Sequence, residues 1–84
     1  MKIIAIFRSR SQTIDFVSRL QRSGVTVQTV NTPKEARVGC GLSASFGASA
    51  IAQAKFILRS GKYTSFVGMY KWENGYGCAA LTPV

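Results

Sequence analysis

Five consecutive apolar residues, Ile3-Ile4-Ala5-Ile6-Phe7, follow Met1-Lys2 at the start of the chain. Successive side chains of a strand point to opposite faces. The run therefore puts Ile3, Ala5 and Phe7 on one side and Ile4 and Ile6 on the other. β-Branched residues pack well on a pleated surface, so a strand buried on both faces is predicted over 2–7. Any fold for this chain must cover both sides of it. The run is shorter than the apolar core of a secretory signal, and no small-residue cleavage site follows. Nowhere does an apolar stretch approach the roughly 18 residues of a membrane span. A cytoplasmic protein without a membrane partner is the expectation.

The chain then alternates between helical and extended patterns. Ser9 and Ser11 both suit a helix N-cap. Ile14, Val17 and Leu20 recur at helical spacing with Phe16 beside them, and Gly24 ends the pattern. Val25 to Val30 alternates apolar and polar, as in a half-buried strand. Asn31-Thr32-Pro33 breaks it. A short strand is predicted over Leu42-Ser43-Ala44-Ser45-Phe46. Gly47 and Ser49 precede a second helix with Ile51, Ala54, Ile57 and Leu58 on one face, closed by Ser60-Gly61. Thr64 to Trp72 reads as a strand with Phe66, Gly68, Tyr70 and Trp72 on one side and Val67 and Met69 on the other. Glu73-Asn74-Gly75 suits a hairpin turn, and Tyr76 to Leu81 would fold back as an extra strand or stay loose.

This order, β-α-β-β-α-β with right-handed crossovers, predicts an α+β, ferredoxin-like sandwich: one antiparallel sheet with two helices on one face. The 84 residues make a single small unit. Residues 1–72 form the ferredoxin-like domain and 73–84 a C-terminal hairpin or tail. The sheet face away from the helices is apolar enough that it should not face water. A homodimer packed through that open face is the expectation, with cover by the C-terminal segment as the competing explanation.

The net charge is +8, from 11 Lys and Arg against 3 acids. Such a balance favours anionic partners. The cations fall in small groups, Arg8 and Arg10, Arg19 and Arg22, Lys34 and Arg37, then Lys55, Arg59 and Lys62. Blocks of like charge that would mark a disordered tail are absent, so a solvated basic surface competes with a functional patch. Asp15, Glu35 and Glu73 are too scattered for a general acid-base pair. There is no histidine, which removes Cys-His and Ser-His nucleophile pairs. With two cysteines and no CxxC, no metal-ligand set is expected either, and no cofactor.

What remains for chemistry is Cys40, set between Gly39 and Gly41 and preceded by Lys34 and Arg37. The thiolate is the reactive form of cysteine, and nearby cations favour it. The two glycines give clearance and backbone freedom, and their N–H groups can form an anion-binding nest. The bland alternative is a small buried hydrophobe. Cys78, in Gly77-Cys78-Ala79-Ala80, reads as packing; its other reading is a thiol that resolves an oxidised Cys40.

The segment Thr32-Pro33-Lys34-Glu35 followed by Gly39-Cys40-Gly41-Leu42, after the apolar strand, the Gly-ended helix and Val25-Thr26-Val27, resembles the family named putative selenium/sulfur carrier protein-like. Members are similar in length, with a Thr-Pro-Arg/Lys-Glu turn and a Cys-Gly-Leu that opens the third strand. The resemblance covers roughly residues 2–72. It implies a ferredoxin-like domain and a thiol carrier, in which Cys40 accepts sulfur or selenium as a persulfide or selenenylsulfide from a donor protein and passes it to an acceptor. Lys34, Arg37, Gly39 and Gly41 would stabilise the charged thiol. Arg37-Val38-Gly39 departs from the small polar residues commoner there, and the chain is more basic than the pattern. On this reading the protein is a carrier or binding protein rather than an enzyme.

Two other readings are weaker. A ferredoxin-like sheet with a basic surface and Phe7, Tyr70 and Trp72 suggests nucleic acid. The third strand, however, lacks the aromatic-basic octapeptide that stacks RNA bases, so nucleic-acid binding is not favoured. A small basic interaction or regulatory module, with Cys40 incidental, is the alternative. Gly61-Lys62 lacks the other residues of a phosphate loop and is a helix end.

Overall fold

The computed structural model describes residues 2–32, 41–72 and 82–83. Strand β1 (Lys2–Phe7) leads into helix α1 (Arg10–Arg22), strand β2 (Val27–Asn31) and strand β3 (Leu42–Gly47). A 3-10 turn (Ala48–Ala50) opens helix α2 (Ile51–Gly61), followed by strand β4 (Phe66–Trp72) and the two-residue strand β5 (Thr82–Pro83). The sheet order is β2-β3-β1-β4-β5, and every described pair is antiparallel. The first four strands give the ferredoxin-like arrangement, and β5 extends it by pairing with Tyr70 and Lys71.

The doubly apolar run lies in the middle of the sheet, between β3 and β4, and Ile3 to Phe7 are all buried. Ile3, Ala5 and Phe7 face the helices, where they join Phe16, Val17 and Leu20 of α1, Ala54 and Ile57 of α2, Phe46 and Met69 in one core. Burying a side chain of this size contributes about 1.5–3 kcal/mol. Phe7 anchors an aromatic cluster, its ring centroid 5.2 Å from Phe16 and 5.4 Å from both Tyr63 and Phe66.

Two sequence expectations are adjusted, and two helix ends are made specific. The buried face of α1 is Thr13, Phe16, Val17 and Leu20, while Ile14 is 50% exposed; a polar residue took the core position that an isoleucine was expected to fill. In β4, Ile6 pairs with Gly68 but Phe7 pairs with Phe66. One step on β1 thus matches two on β4, and this irregularity moves Phe66 to the helix side against Phe7. Helix α2 does not turn left-handed at Gly61; Lys62 does, at φ 51°. Gly61 answers a different need, because a Cβ there would overlap the Tyr63 ring. Ser9, not Ser11, is the N-cap of α1 and accepts from the Gln12 N–H. At the other end Gly24, at φ +92°, closes a Schellman motif: Gly24 N–H donates to Gln21 O and Val25 N–H to Leu20 O, each at 3.1 Å.

On the face away from the helices, Ile4 is 1% and Ile6 0% exposed within a single chain. Part of the cover is local. Tyr70 folds across Gly68, where an added Cβ would come within 2.8 Å of Tyr70 Oη, and Gly68 is the partner of Ile6. The reason given for a dimer, an apolar face left in water, is therefore not met at these residues. The turn at 73–75 and the segment 76–81 lie outside the described residues, as does the C-terminal boundary of the domain. No helix among the described residues is long and apolar enough to cross a membrane.

Candidate functional site

Of the residues singled out in the sequence, Gly41 is described; Lys34, Arg37, Gly39, Cys40 and Cys78 lie outside the described residues. What the structure does show is the frame from which the Cys40 segment is held. Residues 32 and 41 are its two ends. Thr32 N–H donates to Gly41 O at 3.0 Å, continuing the β2–β3 ladder one step past the Asn31–Leu42 pair. The Thr32 and Ser43 hydroxyls meet at 2.6 Å, and Ser43 is fully buried. Gly41 is exposed and sits at φ +87°, with nothing within 4 Å of where a Cβ would be. Its glycine is required by backbone conformation and not by crowding.

A second anchor joins this frame to α1. The buried Thr13 hydroxyl donates to Ser9 O at 3.1 Å and reaches Leu42 O at 3.4 Å. The start of β3 thus lies against the first turn of α1. The same end of the molecule is tied to β4 through Ser65. Arg8 N–H donates to Ser65 O at 2.9 Å, Ser9 N–H to Ser65 Oγ at 3.2 Å, and Ser65 donates through N and Oγ to Gln12 Oε1 at 3.0 and 2.7 Å. Gln12 completes the link by donating to Thr64 Oγ1. The β1–α1 and α2–β4 connections and the two ends of the β2–β3 connection are fastened into one platform.

That platform is cationic. Arg8, Arg10 and Lys62 are exposed, the first turn of α1 holds no acidic residue, and a helix N-terminus carries a partial positive charge. The described carboxylate, Asp15, is engaged elsewhere: it accepts from Tyr63 Oη at 2.5 Å and pairs with Arg19 Nε at 3.2 Å, while Arg19 lies over the Tyr63 ring. Burial, then the hydrogen bond to Asp15 and its charge, push the Tyr63 phenol up to about 12. No group of His, Cys, Asp and Glu among the described residues could hold a metal ion.

Sequence reasoning missed Thr13 and Thr32. Thr13 had a signal, since it occupies the helical position one turn before Phe16 and Val17 and is polar. A hydroxyl on the core face of a helix must find a partner, and here that partner secures the thiol's segment. Thr32 looked like a strand breaker beside Pro33, and nothing local marked its hydroxyl as a tie to Ser43.

Residues 2–70 match the model of the family described as "Putative Se/S carrier protein-like". No curated protein and no solved structure matches the chain.

Proposed function

The chain belongs to the Se/S carrier protein-like family, and from that premise we propose that it carries sulfur or selenium on the thiol of Cys40. The family match, which spans residues 2–70 and so includes Cys40, is the observation that carries the reading. The frame around the segment supports it. Arg10 stands at the start of α1 with no acid in the first turn, an arrangement that the helix dipole disfavours by about 0.3–1 kcal/mol. A thiolate or persulfide anion from the adjoining segment would offset that repulsion. Lys34 and Arg37 add cations from the segment itself, and Gly41, next to Cys40 in sequence, is exposed with nothing within 4 Å of where its Cβ would be.

The transfer is a thiol exchange. The Cys40 thiolate attacks the terminal sulfur of a donor persulfide. A new S–S bond forms at Cys40, the donor's S–S bond breaks, and the donor cysteine leaves as a thiolate. The terminal sulfur moves with its proton, and no external oxidant is required. Selenium would move in the same way from a donor selenenylsulfide. In the second half, an acceptor protein's thiolate takes the terminal atom and Cys40 is restored. Cys78 would act only as a resolving thiol, should Cys40 become oxidised.

The test is to incubate the protein with a cysteine desulfurase and cysteine and to follow intact mass. The wild type is expected to gain one sulfur atom, Cys40→Ser none, and Cys78→Ser the same as wild type. Equal loading of Cys40→Ser and wild type would sink the proposal. Alkylation rate against pH is expected to place the Cys40 thiol below the ordinary cysteine value of about 8.5.

A further inference from the structure

Away from the platform, a groove of about 510 Å³ opens between α2 and β4. Helix α2 packs into the core through Ala54 and Ile57, while its Lys55, Leu58 and Arg59 line the groove beside β4. Leu58 of α2 and Phe66 and Met69 of β4 give the groove an apolar floor. Lys55 and Arg59 line its helix side. They are one turn apart on the same face, a like-charge spacing that is mildly destabilising in a helix, and neither has an ion pair or hydrogen bond among the described residues. Phe56, 64% exposed, stands beside both on the helix surface.

We infer that this groove is a docking site for an acidic segment of a partner protein, which seats apolar side chains on the floor and sets carboxylates against Lys55 and Arg59. Charge complementarity identifies the occupant. A second copy of this chain is a poor fit, since each copy carries a net charge of +8. The described carboxylate, Asp15, is already held by Tyr63 and Arg19. A single-stranded nucleic acid stacks successive bases on several exposed rings; here Phe56 is the one large aromatic so exposed among the described residues, while Phe66 packs on Phe7 and Tyr70 lies over Gly68. The epitope also extends past the groove to Phe56, which suits a protein surface with an aromatic beside cations. The site is independent of Cys40 and of the carrier reading.

Selection from a random-peptide library against the wild-type protein tests this. Enriched peptides are expected to combine Asp or Glu with apolar residues. The synthesised consensus peptide should lose about tenfold or more in affinity for Lys55→Glu/Arg59→Glu. It should bind Arg8→Glu/Arg10→Glu, a variant of equal charge altered on the platform, much as it binds wild type. Circular dichroism confirms that both exposed pairs leave the fold intact. The inference is overturned if the enriched peptides are not acidic, or if both variants lose affinity equally, which would mean attraction to the net charge alone. It is overturned as well if oligothymidylate or phosphatidylcholine–phosphatidylglycerol vesicles displace the peptide from wild type and bind with the same dependence on Lys55 and Arg59.

Discussion

At the scale of single residues, two backbone positions in the left-handed region invite opposite substitutions. Gly41, at φ +87°, has open space where a Cβ would go, so Gly41→Ala should suffer only from backbone conformation, about 1–2 kcal/mol. Lys62 already bears that burden at φ 51°, and Lys62→Gly is expected to stabilise by about 1 kcal/mol in urea unfolding. Both signs follow from one angle, so a stabilising Gly41→Ala or a destabilising Lys62→Gly would contradict the backbone described here. Tyr63 makes a further residue-level prediction. Its folded value is raised to about 12 against an unfolded value of 10.0, chiefly by burial and then by Asp15. A raised value keeps the proton on in the folded state. The stabilisation is complete below the unfolded value and is lost as pH climbs through the folded one, so stability should decline between about pH 10 and 12. Ultraviolet titration should show a late tyrosine component, and Tyr63→Phe should remove it.

At the scale of elements, the tie between Thr32 and Ser43 connects the end of β2 to β3 beside the thiol's segment. Ser43 is fully buried, and leaving a buried hydroxyl unpaired costs about 1–3 kcal/mol, whereas removing both partners can be nearly neutral. Thr32→Val is therefore expected to lower the unfolding free energy by that amount. Thr32→Val/Ser43→Ala should recover much of the loss, giving a non-additive double-mutant cycle. Simple addition of the two single effects would mean that the hydroxyls do not depend on each other. Most elements were legible because their signals are local. Apolar residues on both strand faces marked β1, the serines at 9 and 11 marked the start of α1, and Gly24 marked its end. What was not legible depends on pairing. The displacement of Phe66 onto the core side arises from the register between β1 and β4, and alternation within β4 alone placed it with Gly68 and Tyr70. The helical period places Thr13, with Phe16, Val17 and Leu20, on the core face of α1; what that period cannot reveal is its partner, Leu42 O.

At the scale of the molecule, Cys40 stands out by its neighbours in sequence, but the platform formed by the described residues on either side of its segment was not legible there. Arg8, Arg10 and Lys62 lie at the same end of the sheet as Thr32 and Gly41 because β1, β2 and α2 all end there. The same scale decides self-association. A dimer was expected from the apolar face of β1, yet Ile4 and Ile6 are buried within one chain. Among the described residues, the large apolar ones that are exposed, Ile14 and Phe56, stand singly on different helices, as is ordinary for a protein surface. With a net charge of +8 on each copy, repulsion opposes association of like copies. The weak point is β2. Among the described residues it pairs only with β3, and Val27–Asn31 contains no charge and no proline, the usual protections of an edge strand. Light scattering at about 0.1 M salt should therefore report a monomer, because charges on approaching copies still interact across a Debye length of about 10 Å. Near 1 M salt that length falls to about 3 Å, and pairing through the β2 edge is expected to appear. Gln28→Lys, which puts a cation on that edge, should prevent it. A dimer already present at low salt, or a high-salt dimer indifferent to Gln28→Lys, would assign self-association to a different surface.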